Sequence, residues 1–152
     1  MISLGIDLGG TSAKLGVVED GVILAAATVA TRADSDYEGI VHDLTEAAKG
    51  LLAGYRVRKA GIGSPGLIDS VTGKVCYSNN IKWSDAPLRD DIGRELGLPA
   101  LIANDAKCAA LGEALYGAGK GFRRVAMLTI GTGVGGGFVC DGRPESGSPY
   151  AD

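Results

Sequence analysis

The sequence predicts an α/β fold with a mixed sheet, in the element order β-β-β-α-β-α-β-α followed by a β-β hairpin. Three observations carry this. Residues 1–30 hold three short apolar runs separated by Gly-bearing turns, the pattern of an antiparallel meander. Residues 34–52 then switch to helical spacing. Beyond them, buried-strand runs alternate with helical segments, and helices that cross between strands impose parallel pairing.

The meander is Ile2–Asp7, Ala13–Val18 and Val22–Ala30, with turns at Leu8-Gly9-Gly10 and Glu19-Asp20-Gly21. In the helix that follows, Asp34 to Leu52, the apolar stripe is Tyr37, Ile40, Val41, Leu44, Ala48, Leu51 and Leu52. Ser35 and Glu38 form an S-x-x-E capping box, and Gly54 marks the stop. Val57–Ile62 reads as a buried strand leading into Gly63-Ser64-Pro65-Gly66. Leu67–Val75 reads as a small hairpin excursion, and Ser78–Trp83 as a polar loop. Pro87 suits the first turn of a second helix, which ends at Leu96 with Gly97 as its cap. Ala100–Ala103 is a short strand, and Asn104-Asp105 caps an Ala-rich helix that runs to Tyr116. Gly117–Gly121 reads as a hinge-like break. Val125–Ile130 and Phe138–Cys140 are then strands flanking a glycine loop, Gly131–Gly137, before a turn-rich tail from Asp141.

Composition narrows the function. The 152 residues are 45% hydrophobic and 22% charged, which excludes disorder, collagen and coiled coil. Net charge is −3 with no basic tract, so no nucleic-acid partner is expected. No apolar run approaches the ~18 residues of a membrane helix, so no membrane association is expected. The N-terminus lacks a basic n-region and carries Asp7, unlike a signal peptide. Cys76, Cys108 and Cys140 are odd in number and form no CxxC, which points to reduced thiols in the cytoplasm and to no zinc site. Glycine is the outlier: 25 residues, about twice the usual ~7%.

Two stretches fit G-x-G-x-x-G, at Gly61, Gly63, Gly66 and at Gly131, Gly133, Gly136. A dinucleotide fingerprint must open a helix, and neither does. A P-loop is absent as well. Asp7-Leu8-Gly9-Gly10-Thr11-Ser12-Ala13-Lys14 is more informative. Two glycines let backbone amides approach an anion, Thr11 adds a hydroxyl, Lys14 a positive charge, and Asp7 a carboxylate for Mg²⁺ or its water. A plain hairpin needs one or two special residues, not this set. Gly131 to Gly137 holds five further glycines, whose entropic cost implies a purpose, and apolar flanking strands argue against a linker. Two such hairpins face to face would clamp phosphates. Asp105 sits where it could accept a proton from a hydroxyl, with Asn104 beside it, although Asn and Asp alone are ordinary helix caps.

Taken together, Asp7-Leu8-Gly9-Gly10-Thr11-x-x-Lys14, Gly61-Ile62-Gly63-Ser64-Pro65-Gly66, Asn104-Asp105-Ala106 and Gly131-Thr132-Gly133-Val134-Gly135-Gly136-Gly137 resemble, in order and spacing, the ROK family (repressor, ORF, kinase). The resemblance implies a ribonuclease H-like (actin-like ATPase) domain and a glucokinase-like sugar kinase using Mg²⁺ with ATP, or polyphosphate in some relatives. It implies Asp7 as the Mg²⁺-side aspartate, Gly9, Gly10 and Thr11 with Lys14 as one phosphate loop, and Gly131, Thr132 and Gly133 as the other. Asp105 becomes the general base, and Gly66, Asn79, Asn80 and Asn104 the neighbourhood of a hexose or hexose derivative.

The departures matter too. Family members run to roughly twice this length, as two domains, in keeping with domain-size priors. The expectation is a first domain at residues 1–118, with residues 119–152 as the hinge and opening hairpin of a second. The family's His and CxCGxxGC zinc cluster is missing, and its Glu-x-Gly-His sugar grip would fall just past Asp152. An N-terminal fragment, inactive alone, is therefore expected. The alternatives are a non-catalytic sugar-binding or assembly module, or a sugar-sensing regulator lacking its DNA-binding domain. An unfinished hairpin would expose strand edges and favour self-association. His42 is expected at the surface, Trp83 packed against its loop, and Cys108 as a small core residue.

Overall fold

The computed structural model describes residues 1–31, 36–130 and 133–145. The meander is β1 (Ile2–Leu8), β2 (Ser12–Glu19) and β3 (Val22–Ala30). Helix α1 (Tyr37–Leu52) leads to β4 (Ala60–Ser64), and α2 (Leu88–Leu96) leads to β8 (Ala100–Asn104). Between these lie three short strands, β5 (Leu67–Asp69), β6 (Lys74–Ser78) and β7 (Trp83–Ala86). Helix α3 (Asp105–Tyr116) precedes β9 (Arg124–Ile130), β10 (Val134–Cys140) and β11 (Arg143–Pro144).

The main sheet has the order β3-β2-β1-β4-β8. β1 pairs antiparallel with β2 and parallel with β4, and β4 pairs parallel with β8. The sheet is therefore mixed, as the crossover helices require. Side chains alternate across it. Leu4, Ile6 and Leu8 of β1, Leu15 of β2, Ile62 of β4 and Ile102 of β8 point to one face and form a single core with Ile40 and Leu44 of α1 and Ile92 of α2. Each such side chain stabilises by roughly 1.5–3 kcal/mol on burial. The opposite face carries Gly5, Asp7 and Lys14, so the polar residues of the first hairpin are turned away from the core by the same alternation.

Several boundaries differ from expectation. The N-cap of α1 is Asp36, whose carboxylate accepts from the Gly39 amide at 2.8 Å. It displaces the Ser35–Glu38 box by one residue, because Asp is itself a strong cap. Ser35 lies outside the described residues. β4 begins at Ala60 rather than Val57; Arg58 N–H reaches the Ile2 carbonyl and Leu4 N–H the Lys59 carbonyl, but the ladder starts only beyond them. The loop expected at Ser78–Trp83 is a tight turn, and β7 pairs with β6. Trp83 is 6% exposed and sits edge-on to Tyr37 of α1 with ring centroids 5.0 Å apart, so it belongs to the main core and packs beyond the loop expected for it. His42 is exposed.

The largest correction concerns the second glycine run. Gly135, Gly136 and Gly137 are not loop but the body of β10. A Cβ on Gly137 would stand 2.6 Å from the Ala110 Cβ, and one on Gly135 would stand 3.0 Å from the Ala106 Cβ. These two glycines thus let β10 lie flush on the buried ridge Ala106–Ala110–Ala114 of α3. Their explanation is close packing rather than phosphate contact. The tail beyond Asp141 also contains the short strand β11, which extends this sheet to β11-β10-β9.

Candidate functional site

The carboxyl ends of β1, β4 and β8 lie side by side. Asp7 pairs with Gly63, and Gly63 with Ala103. Asp105 follows directly on β8 as the first residue of α3. Open α/β sheets hold ligands along this edge. Here it presents two carboxylates, Asp7 and Asp105, from strands separated by β4 alone.

Gly63 and Cys108 occupy the space between them. A Cβ on Gly63 would stand 3.5 Å from the Asp105 Cα and 3.5 Å from the Cys108 sulfur. Burial of the sulfur raises the Cys108 thiol above its ordinary value, and the charges of Asp105 and Asp7 push the same way. The residue itself is exposed, so Cys108 is a wall of the site and not the core residue expected. Neither Gly63 nor Cys108 was singled out for the site from sequence. The available signal was helical spacing: Cys108 lies one turn after Asp105, on the same face.

Asp7 is exposed and stands across from Lys14 in register. Among the described residues no ion pair joins either one to a partner. The Gly9 amide is committed to the hairpin, donating to the Ser12 carbonyl at 3.0 Å. The Thr11 carbonyl accepts from Thr31 N–H at 2.9 Å. Gly10 lies against the second loop, where a Cβ would meet the Asn80 carbonyl oxygen at 3.3 Å. The Asp7–Lys14 hairpin and the Asn79–Asn80 turn are therefore neighbours. Asn79 accepts from the Tyr77 hydroxyl at 2.6 Å, and Asn80 is exposed.

Gly66 closes the turn after β4 with φ +105, a conformation that favours glycine. Its carbonyl accepts from Asn104 Nδ2 at 3.2 Å. Asn104 also caps α3, its Oδ1 accepting from the amides of Ala106 at 3.0 Å and Lys107 at 3.3 Å. Asp105 Oδ1 accepts from the same Ala106 amide at 2.8 Å. The cap and the site thus share one helix terminus.

Gly131 and Thr132 lie outside the described residues; Gly133, which leads into β10, is exposed. Since Gly135 lies on Ala106 and Gly137 on Ala110, β10 starts at the end of α3 that carries Asp105. A cavity of about 280 Å³ borders Asn104, Lys107, Cys108 and Ile68. Another, of about 400 Å³ between Tyr37 and Trp83, touches none of the candidate residues. Among the described residues no three His, Cys, Asp or Glu side chains converge on one point. Asp7 as a lone carboxylate fits Mg²⁺ held chiefly by a nucleotide's phosphates, the usual arrangement for that ion.

The ROK family profile matches residues 3–150. The glucokinase of Streptomyces coelicolor is 37% identical over 147 residues, covering 96% of this chain and 46% of the relative. A ROK family glucokinase from Streptomyces griseus, solved in complex with glucose and AMPPNP, superimposes with a TM-score of 0.89 at 38% identity, over 97% of this chain and 47% of that one. An inorganic polyphosphate/ATP-glucomannokinase from Arthrobacter sp. strain KM superimposes with a TM-score of 0.84 at 30% identity, over 97% of this chain and 62% of that one. The chain spans about half the length of the curated relatives it matches. The ribonuclease H-like, actin-like ATPase fold is the one these structures share. With its motifs in register and its α/β architecture matched across nearly every residue, the chain belongs to the ROK family.

Proposed function

We propose that these residues are the first half of a glucokinase-like sugar kinase, which transfers the γ-phosphoryl group of ATP to a hexose hydroxyl. One observation carries the reading: Asp7 and Asp105 stand at the same carboxyl edge, on either side of Gly63, at the meeting point of the first hairpin, the Gly66 turn and the α3 terminus. In the proposed reaction the sugar hydroxyl oxygen bonds to the γ-phosphorus while the bond to the β-γ bridging oxygen breaks. The hydroxyl proton passes to the Asp105 carboxylate. A loose phosphoryl-transfer transition state asks for positioning and for late proton acceptance. Gly66, Asn79, Asn80 and Asn104 supply the sugar side. Gly9, Gly10, Thr11 and Lys14, with Gly131, Thr132 and Gly133, supply the phosphate side. Bound with ATP, Mg²⁺ would neutralise phosphate charge beside Asp7.

The relatives support the ligand classes. The Streptomyces griseus enzyme is described with glucose and AMPPNP, and the Arthrobacter enzyme as using polyphosphate or ATP. ATP is the proposed donor and polyphosphate the second choice. We place the first domain at residues 1–118 and the opening of the second at 119–152. The 152-residue chain alone is proposed to be inactive. The test is a coupled assay of the full-length polypeptide on a hexose panel. Asp105→Asn is expected to lower kcat by about 10²–10⁴-fold, the usual worth of a general base. A variant as active as the parent overturns the reading.

A second property is favoured by the exposed face of β9 and β10, where Leu128, Ile130, Val134 and Phe138 are 74%, 85%, 78% and 44% exposed. The chain on its own is proposed to self-associate through this face and its open strand edges. A monodisperse monomer in light scattering overturns that.

A further inference from the structure

Asn104 engages both ends of its carboxamide within the protein. Its oxygen accepts two amides of the first turn of α3. Its nitrogen donates to the carbonyl of Gly66, 38 residues earlier in the chain. The Gly66 turn joins Ser64, the last residue of β4 and paired with Asn104, to Leu67 of β5, which pairs with Tyr77. Gly66 itself carries no side chain, and on its other flank a Cβ would collide with the Tyr77 carbonyl and stand 2.8 Å from the Ser78 Cβ. Neighbouring Ser64 donates only to the adjacent Pro65 carbonyl, at 3.4 Å. Among the described residues the Asn104 bond is thus the one side-chain hydrogen bond from another element to this turn.

We propose that Asn104 is a positioning residue that clasps the Gly66 turn to the helix carrying Asp105, holding the two sides of the sugar pocket in one register. This rests on the kinase reading above and deepens it, since Asn104 would act through Gly66 and Asp105 whether or not it touches sugar. The chemistry of the side chain decides the test. Asp at position 104 keeps a capping oxygen. It loses the N–H and sets a negative charge against the Gly66 carbonyl. Ser also caps, through a shorter side chain that lacks the carboxamide N–H.

The experiment uses the full-length polypeptide, the parent, Asn104→Asp and Asn104→Ser. The first readout is amide hydrogen exchange without sugar. Exchange at Gly66 and Leu67 is expected to accelerate on the order of tenfold, the effect of one lost hydrogen bond, while α3 amides keep their protection. The second readout is KM and kcat for glucose and its monodeoxy analogues. A clasp raises KM by the same factor for every analogue. A direct sugar ligand raises it only where the contacted hydroxyl is present. Unchanged exchange at the turn, or a KM effect confined to one hydroxyl, overturns the proposal. If the parent phosphorylates no sugar, the kinase reading falls and the exchange result alone decides the clasp.

Discussion

Gly63 holds the Asp105 backbone at contact distance: a Cβ on Gly63 would stand 3.5 Å from the Asp105 Cα. A residue no larger than alanine at position 63 therefore lets α3 settle over β4, with Asp105 on the strand edge that Asp7 occupies two strands away. Alanine at position 63 fits at ordinary van der Waals distance, so Gly63→Ala is expected to fold with near-parental stability. Gly63→Leu must push the first turn of α3 off the sheet, at a cost of about 1–3 kcal/mol. Urea denaturation of the two variants measures the difference, and equal midpoints would show that α3 does not depend on this contact.

The glycines of β10 give a second comparison. Gly137→Ala drives a methyl group into Ala110 and the α3 backbone and is expected to destabilise by about 1–3 kcal/mol. Gly61→Ala meets nothing within 4 Å and is expected to be neutral or slightly stabilising. Thermal denaturation separates them. Equal losses would mean that the flush packing of β10 on α3 is not what these glycines serve.

Tyr37 ties α1 to α2 by donating to Asp91 at 2.6 Å. Burial, then the Asp91 bond and charge, hold its phenol well above the ordinary tyrosine range. Tyr37→Phe keeps the ring against Trp83 and is expected to cost about 1 kcal/mol at neutral pH. The sign with pH follows from linkage. The unfolded chain ionises near pH 10 while the folded chain keeps the proton, so the Tyr37 contribution is complete below that pH and falls as pH rises through it. The gap between parent and variant in urea should therefore narrow above about pH 10; a constant gap contradicts the assignment.

Cys108 reports on the two carboxylates. Its raised thiol should react with iodoacetamide more slowly at pH 8 than a free thiol. Removing either charge, in Asp105→Asn or Asp7→Asn, should accelerate alkylation at that pH. Mass-resolved labelling rates check this, and an Asp7→Asn variant with the parental rate would show that Asp7 does not reach the sulfur.

Legibility of the sequence tracked the range of the contacts. Leu4, Ile6 and Leu8 alternate with Gly5 and Asp7 within one strand, so the meander and its buried face could be read directly. Gly97 could be read as a cap because its role depends only on its own helix, and it is left-handed as expected. Gly135 and Gly137 could not, because the alanines they accommodate lie on another element. In isolation a glycine that admits a phosphate and one that admits a helix look the same. Asn104 was legible as a cap, a local role, while its bond to Gly66 spans 38 residues and leaves no pattern in the chain. The strand β7, with Ser84 and Asp85 between two buried ends, has too few apolar residues to announce itself.

The parallel order β1-β4-β8 also fixes when the site can exist. β1, β2 and β3 are joined by hairpins and can pair as soon as they leave the ribosome, since synthesis is slow beside hairpin formation. Asp7 is present from the start but has no counterpart on its edge. β4 must first cross over behind α1, then β8 behind α2, and each closure pays its loop entropy before any contact rewards it. Asp105 is the next residue after the last of these strands. The nascent chain thus carries an incomplete edge until both crossovers have closed, and the edge shared by Asp7 and Asp105 comes into being with the final parallel strand of the sheet.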